Sequence, residues 1–118
     1  MSTISFDVDD TLIIPPVATG LDRDIPNYEN IAIYRWFQEQ GHTMWIWSGG
    51  GQDYARMWGE KLGLKADAYY DKGIHGDGKI PMGQRAPYKP DICFDDCLVD
   101  LATVNVRVKR INNQRKRN

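Results

Sequence analysis

The sequence lacks the features that mark exported and membrane-spanning chains. No run approaches the ~18 consecutive apolar residues of a membrane span, and the first residues show no basic region followed by an apolar block. Only two cysteines occur among 118 residues, Cys93 and Cys97, which are too few for a disulfide framework and suit a core position and a free thiol. We therefore expect a cytoplasmic protein without a membrane contact.

Acidic residues are absent from the C-terminal segment. Residues 107–118 contain six basic side chains and no acidic one. The rest of the chain then holds nine basic and sixteen acidic residues, a net charge of about −7. Such an acidic body favours a site that recruits a divalent cation before it accepts an anion. We expect one domain over residues 1–108 and a basic tail over 109–118, either a solvated terminus or a weak, salt-dependent contact for nucleic acid.

The apolar pattern predicts strands and helices in alternation. Buried strands are indicated from Ile4 and at 43–47, 66–70 and 92–94, and a half-buried edge strand is indicated at 104–108. Two helices are indicated, one between Asn27 and Gly41 and one over 52–62. This order predicts a mainly parallel sheet joined by right-handed crossovers, and hence a three-layer Rossmann-like α/β fold.

Each predicted helix has an apolar face that should pack on the sheet. The face of the first consists of Ala32, Ile33, Trp36 and Phe37. The face of the second consists of Ala55, Trp58 and Leu62. The segment 13–26 contains three prolines and predicts a surface loop or a small hairpin. The segment 71–88 predicts a long loop, and either segment is a candidate lid.

Polar side chains follow three of the predicted strands. Asp7, Asp9 and Asp10 end the first strand, Ser48 and three glycines end the second, and Asp95 and Asp96 end a later one. Ligands of open α/β sheets bind outside the carboxyl ends of the strands, so these groups should form one crevice. Several carboxylates in one crevice repel each other unless a cation neutralises them. Mg²⁺ is the candidate, because it prefers hard oxygen ligands.

These residues resemble the motifs of the haloacid dehalogenase (HAD) superfamily of phosphotransferases. Residues 6–12, Phe-Asp-Val-Asp-Asp-Thr-Leu, resemble the first motif, and residues 92–96, Ile-Cys-Phe-Asp-Asp, resemble the fourth. Ser48 resembles the second motif, and Lys89, directly before Pro90, resembles the third. Four further lysines compete with Lys89 for its role: Lys61, Lys65, Lys72 and Lys79.

The resemblance implies a phosphomonoester hydrolase that acts through an aspartyl-phosphate. Asp7 would be the nucleophile and Asp9 the general acid and base, while Lys89 would neutralise charge on the phosphoryl group. Substrate-binding groups would come from Thr11, Ser48, Gly49, Gly50 and Lys89. Mg²⁺ would be held by Asp7, the Asp9 carbonyl, Asp95 and Asp96.

One departure from the family pattern concerns the cap domain that many members carry as an insertion. Neither insertion point here has more than about forty residues, so the chain resembles a small capless (C0-type) member. The resulting open site favours nucleotides or nucleic-acid end phosphates as substrates, and another subunit could complete it. Asp10 stands where the family most often has glycine, and we interpret it as a turn residue.

Three alternative interpretations stay open. The chain could be a non-catalytic module that binds phosphate or nucleic acid on a HAD-like fold. A zinc site could combine the two cysteines with His42 or His75, although the spacing does not match paired zinc ligands. A response-regulator receiver domain would take its phosphoacceptor from the third strand, where only Asp71 is present.

Overall fold

The structure, a computed structural model, describes residues 1–73 and 83–111. In these residues the chain forms seven β-strands and three α-helices. In chain order they are β1 (Thr3–Asp7), β2 (Ile13–Ile14), α1 (Pro16–Thr19), β3 (Ile25–Pro26), α2 (Tyr28–Glu39), β4 (Thr43–Ser48), α3 (Gln52–Lys61), β5 (Ala68–Asp71), β6 (Ile92–Asp95) and β7 (Val104–Arg107). None of the helices described has the length and apolar character needed to cross a membrane.

Five of the strands form one parallel sheet in the order β5-β4-β1-β6-β7. The connections run outward from β1 to β4 and β5, and the chain then returns to place β6 and β7 on the other side of β1. The order of the strands therefore reverses between β1 and β6, which is where open α/β sheets bind ligands. The predicted α/β class and parallel sheet are confirmed.

The two faces of the sheet are covered differently. Both long helices pack on the face that carries Phe6 and Ile46. The opposite face carries Trp45, Trp47 and Cys93, which pack against residues 101–102. Within the described residues, non-helical segments cover this second face, whereas the predicted three-layer fold has helices on both sides. The core position predicted for Cys93 is confirmed.

The face of α2 that packs on the sheet differs from the predicted one. Ile31 and Tyr34 are buried, whereas Ala32 and Ile33 are exposed. Trp36, which we expected in the core, is 54% exposed. Of the four residues in the predicted face, Phe37 is the one that packs against the core.

Polar contacts in the first turn and in the middle of α2 determine which face of the helix is buried. Asn27 caps the helix as predicted, with its side chain accepting from the Asn30 N–H. The Asn30 amide donates to the Thr11 carbonyl at 2.8 Å, and the Tyr34 hydroxyl donates to the Lys65 carbonyl. Buried polar groups need hydrogen-bond partners, so these bonds favour one rotation of the helix about its axis. A count of apolar residues alone does not predict that rotation.

The remaining elements agree more closely with the prediction. In α3 the buried side chains include Ala55 and Trp58, and Gly63 follows the helix with a φ of 70°. β2 and β3 form the small antiparallel hairpin expected within 13–26. β7 is an edge strand, but all four of its residues are exposed, so the predicted half-burial is wrong. Of the long loop at 71–88, residues 74–82 lie outside the described part.

Substitutions in α2 test its orientation. Ile31→Ala should lower the free energy of unfolding by about 2–5 kcal/mol, because it removes a fully buried side chain. Ile33→Ala is the matched control, with the same chemical change in the same helix, and should cost about 1 kcal/mol or less. Urea unfolding measures both. A larger loss at Ile33 would contradict this orientation of the helix.

Candidate functional site

Two buried carboxylates meet at the point where the strand order reverses. Asp7 is the last residue of β1 and Asp95 the last residue of β6. The strands pair with Phe6 opposite Phe94, so the two carboxylates follow side by side at the carboxyl edge. Asp7 is 4% exposed and Asp95 is fully buried. The sheet thus brings together two of the predicted metal ligands.

Lys72 joins these carboxylates. Its Nζ lies 3.0 Å from Asp7 Oδ1 and 2.8 Å from Asp95 Oδ2. Lys72 directly follows β5, and its backbone N–H donates to the Ser48 carbonyl at 2.9 Å. This hydrogen bond directs the chain across the end of β4. The side chain can therefore reach β1 and β6 from two strands away.

Lys89 lies at the other end of the sheet. Its side chain is exposed, and its neighbours in the chain contact the beginning of β1. The Tyr88 hydroxyl shares a hydrogen bond with Thr3 Oγ1, and the Asp91 carboxylate accepts from the Thr3 N–H. β1 is about 13 Å long at ~3.3 Å per residue. Lys72, one of the alternatives considered above, therefore occupies the position expected of Lys89.

The carboxylates and the lysine change each other's ionisation. Burial raises the pKa of Asp7 well above its usual value, and the charge of Asp95 adds to this, while Lys72 acts in the opposite direction. Burial also raises the pKa of Asp95 against the effect of Lys72. Burial alone would lower the pKa of Lys72, but the two carboxylates outweigh it and raise that pKa. Lys72 therefore stays an ammonium.

The chain after β1 forms a tight turn around one carbonyl. The Val8 oxygen accepts from the N–H groups of Thr11, Leu12 and Ile13. Thr11 is fully buried, and its hydroxyl donates to Asp7 Oδ2 at 3.4 Å. Asp10 has a φ of 62°, a left-handed conformation that favours glycine. Asp10 thus has the turn geometry that we predicted.

Asp9 is held by a residue that the sequence interpretation missed. Its side chain is exposed at the edge of the site, and its Oδ1 accepts from the Tyr54 hydroxyl at 2.7 Å. Burial and the bond to Asp9 raise the pKa of Tyr54, so the phenol stays protonated and donates. Tyr54 lies in the first turn of α3, whose N-terminus follows the glycines. Its place in the first turn of the helix after the glycines is the one signal in the sequence that could have predicted a role for Tyr54.

Ser48 and the following glycines form the connection between β4 and α3. Ser48 is buried, and its hydroxyl accepts from the Gly50 N–H at 2.9 Å. Gly49 is partly exposed and Gly50 is exposed. A side chain at Gly50 would approach the Tyr54 ring to 3.0 Å, which explains the need for a glycine there. Ser48, Gly49 and Gly50, three of the predicted phosphate-binding residues, thus lie at the carboxyl edge of the sheet.

Asp96 is paired with a cation from the C-terminal segment. Its carboxylate accepts from the Arg110 guanidinium, through Nε at 2.9 Å and through Nη2. The Arg110 Nε also lies 4.0 Å from Asp10 Oδ2. The Cys97 thiol is exposed and free, as predicted, and lies beside this pair. Arg110 therefore belongs to the site although it follows the predicted domain boundary.

The donor atoms of the site fit a small divalent cation. Five aspartates surround this edge, with Lys72, Arg107 and Arg110 among them, so two negative charges remain when all groups are ionised. One group of potential ligands within the described residues, Asp95, Asp96 and Cys97, has its ligand atoms within 4.8 Å of one another. Carboxylate oxygens suit Mg²⁺, whereas a thiolate suits softer ions. Within this group the carboxylates of Asp95 and Asp96 are therefore the ligands that suit Mg²⁺.

The position of His42 does not support a zinc site with the cysteines. His42 accepts from the Ser2 N–H at 3.2 Å, which places it near the start of β1 and away from Cys97. His75 lies outside the described residues. Trp47, directly before Ser48, is fully buried in the core of the second face and does not line the site.

Comparisons of the chain with protein-family models, with curated proteins and with solved structures gave no match. The similarity to the HAD superfamily thus depends on the motif residues themselves.

Separate substitutions of Lys72 and Lys89 distinguish the roles of the two lysines. Lys72→Met leaves two buried carboxylates without their cation and should lower the free energy of unfolding by about 3–5 kcal/mol at neutral pH. Lys89→Met removes an exposed side chain and should change it by less than about 0.5 kcal/mol. Denaturant titrations of both variants measure these values. Similar losses for the two variants would contradict the geometry.

The deficit of Lys72→Met should depend on pH. Without the ammonium, the pKa values of Asp7 and Asp95 rise further above those of the unfolded chain. A carboxyl with a raised pKa loses stability as pH increases from its unfolded pKa through its folded pKa. The deficit relative to wild type should therefore shrink towards pH 4 and grow towards pH 7.

Proposed function

We propose that the protein is a magnesium-dependent phosphomonoester hydrolase of the HAD type, with Asp7 as nucleophile and Lys72 in place of Lys89 as the lysine of the site. The observation that carries this proposal is the Lys72 ammonium between the carboxylates of Asp7 and Asp95 at the reversal of strand order. A cation in contact with both groups lowers the electrostatic cost of bringing a phosphate dianion to a carboxylate. The motif resemblance supports the same reaction.

The first step transfers the phosphoryl group to Asp7. A carboxylate oxygen of Asp7 forms a bond to phosphorus while the bond between phosphorus and the ester oxygen breaks. Asp9, in its acid form, donates a proton to the leaving oxygen. Lys72 balances charge on the phosphoryl oxygens, and the Ser48 hydroxyl, the Thr11 hydroxyl and the N–H groups of Gly49 and Gly50 are the candidates to bind them.

The second step returns Asp7 to its initial state. Asp9, now a carboxylate, removes a proton from a water molecule, and the water oxygen attacks phosphorus. The bond between phosphorus and Asp7 breaks, which releases inorganic phosphate and leaves Asp9 protonated for the next cycle. The Tyr54 hydroxyl bond to Asp9 orients the carboxyl group for both proton transfers.

Mg²⁺ would be held by the carboxylates of Asp7 and Asp95 and the Asp9 carbonyl, with Asp96 directly or through water. When bound, it would neutralise phosphoryl charge as a Lewis acid. Lys72 Nζ contacts one oxygen of each of Asp7 and Asp95. The other oxygens accept from the Thr11 hydroxyl and the Cys97 N–H, so a bound cation would share these carboxylates with the contacts that they already make. Asp96 would have to exchange part of its contact with Arg110.

Substitution of the nucleophile tests the proposal. With Mg²⁺, the wild type should hydrolyse aryl phosphates or nucleotides, and Asp7→Asn should lower kcat at least about a thousandfold. Mass spectrometry after an acid quench should find one phosphoryl group on the wild-type peptide that contains Asp7. Asp53→Asn, an exposed carboxylate of α3, is the control and should keep full activity. Unchanged hydrolysis by Asp7→Asn would refute the mechanism.

A comparison of substrates with different leaving groups distinguishes a chemical role of Tyr54 from a structural one. Tyr54→Phe keeps the ring but removes the bond to Asp9. Its kcat/KM should fall about tenfold or more for alkyl phosphates, whose leaving oxygen needs a proton, and much less for nitrophenyl phosphate, whose leaving group does not. Equal losses for both substrates would show that Tyr54 only stabilises the fold.

The non-catalytic alternative stays a prediction, and within residues 1–73 and 83–111 no contact supports it. Of the basic side chains at the C-terminus, Arg107 donates to the Asp96 carbonyl at 3.3 Å and Arg110 binds the Asp96 carboxylate. Both are directed at the acidic edge, which satisfies their charge within the protein. The preference for nucleotides or nucleic-acid end phosphates belongs to the proposal of an open site and awaits a substrate panel.

A further inference from the structure

The Asp96 carboxylate receives its counter-charge from an exposed side chain. Both Nε and Nη2 of the Arg110 guanidinium donate to the same oxygen, Oδ2 of Asp96, with Nε at 2.9 Å. The Asp96 side chain is 6% exposed, whereas the Arg110 side chain is 42% exposed. The carboxylate is therefore enclosed by the protein, and the guanidinium lies on its solvent side.

The chain before Arg110 is anchored to the sheet as far as Val108. The Val108 N–H donates to the Asp95 carbonyl at 2.8 Å, which continues the ladder between β6 and β7. The Val108 side chain packs against the core. Arg110 follows two residues later, and its bonds to Asp96 are made by its side chain. Rotation of this exposed side chain can therefore break them while the two strands stay paired.

The carboxylate that Arg110 holds belongs to the group of residues that suits a divalent cation. Asp95, Asp96 and Cys97 have their ligand atoms within 4.8 Å of one another. Arg110 Nη2 contacts the Asp96 carboxylate and lies 3.5 Å from the Cys97 sulfur, so the guanidinium contacts two of these three residues. A metal ion on Asp96 would share one carboxylate with this guanidinium, and the two positive charges would repel each other.

We propose that Arg110 competes with the divalent cation for Asp96, as an autoinhibitory contact that sets how readily the metal binds. This role rests on the metal site of the proposed function. In the protein without metal, Arg110 supplies the positive charge that the buried Asp96 carboxylate needs. A bound metal supplies that charge instead. Because coupling between two groups at one site is reciprocal, the metal weakens the Arg110 contact by the same factor by which Arg110 weakens metal binding.

Manganese binding by two charge variants tests the proposal. Arg110→Gln removes the competing cation and should lower the dissociation constant of Mn²⁺ about tenfold, measured from the electron paramagnetic resonance signal of free Mn²⁺. Lys109→Gln is the matched control, with the same change of charge one residue earlier. Lys109 is exposed and lines a cavity together with Asn27 and Glu29 beside the start of α2. Its loss should change the dissociation constant less than about twofold, because solvent screens its charge.

The outcomes for the inhibitory contact and for the metal site differ. Equal dissociation constants for the wild type and Arg110→Gln would overturn the role of Arg110 and leave the proposed function standing. Equal gains in Arg110→Gln and Lys109→Gln would also overturn it, because they would show a general effect of charge. If the wild type and both variants fail to bind Mn²⁺, the metal site of the proposed function fails together with the inhibitory contact.

The reciprocal effect can be measured on the arginine of the wild type. The bond from Arg110 Nε to Asp96 should give a resolved side-chain signal in proton–nitrogen correlation spectra of the metal-free protein. Its absence from the spectrum of Arg110→Lys identifies this signal. Saturating Mg²⁺, which is diamagnetic, should move the signal toward the position of a solvated arginine. A signal that stays unchanged at Mg²⁺ concentrations that saturate the site would overturn the proposal.

Discussion

The contact of one ammonium with two buried carboxylates is the constraint on which the site depends. Asp7 and Asp95 end neighbouring strands and lose most of their hydration, and without Lys72 their mutual repulsion would oppose the pairing of β1 with β6. The lysine in turn needs the chain after β5 to bend over Ser48. The geometry of the sheet edge and the ionisation of the site thus depend on each other.

The carboxylates could be predicted because they are local to the strands that carry them. Asp7 and Asp95 follow short apolar runs, and parallel strands bring their carboxyl ends to one edge, so sequence alone predicts that they meet. Lys72 could not be found this way, since a long side chain reaches a site two strands away only through a backbone turn. Lys89 was favoured for its place in the sequence, but it precedes β6 and therefore lies at the opposite edge.

The same distinction explains the error in α2. Both of its faces contain apolar residues, so periodicity could not choose between them. The choice came from polar groups, notably the Asn30 amide that binds the Thr11 carbonyl and the Tyr34 hydroxyl that binds the Lys65 carbonyl. Partners distant in sequence determined which apolar face was buried.

The C-terminal segment shows why a change of composition is not a structural boundary. Loss of acidic residues after Asp100 suggested a separate tail from 109 onward, yet Arg110 binds Asp96 and approaches Asp10. A basic segment beside an acidic edge gains more from neutralising that edge than from remaining in solvent, provided that the connection is short. Here two residues separate β7 from Arg110. The charge asymmetry of the sequence is thus explained equally well by an internal contact and by an external ligand.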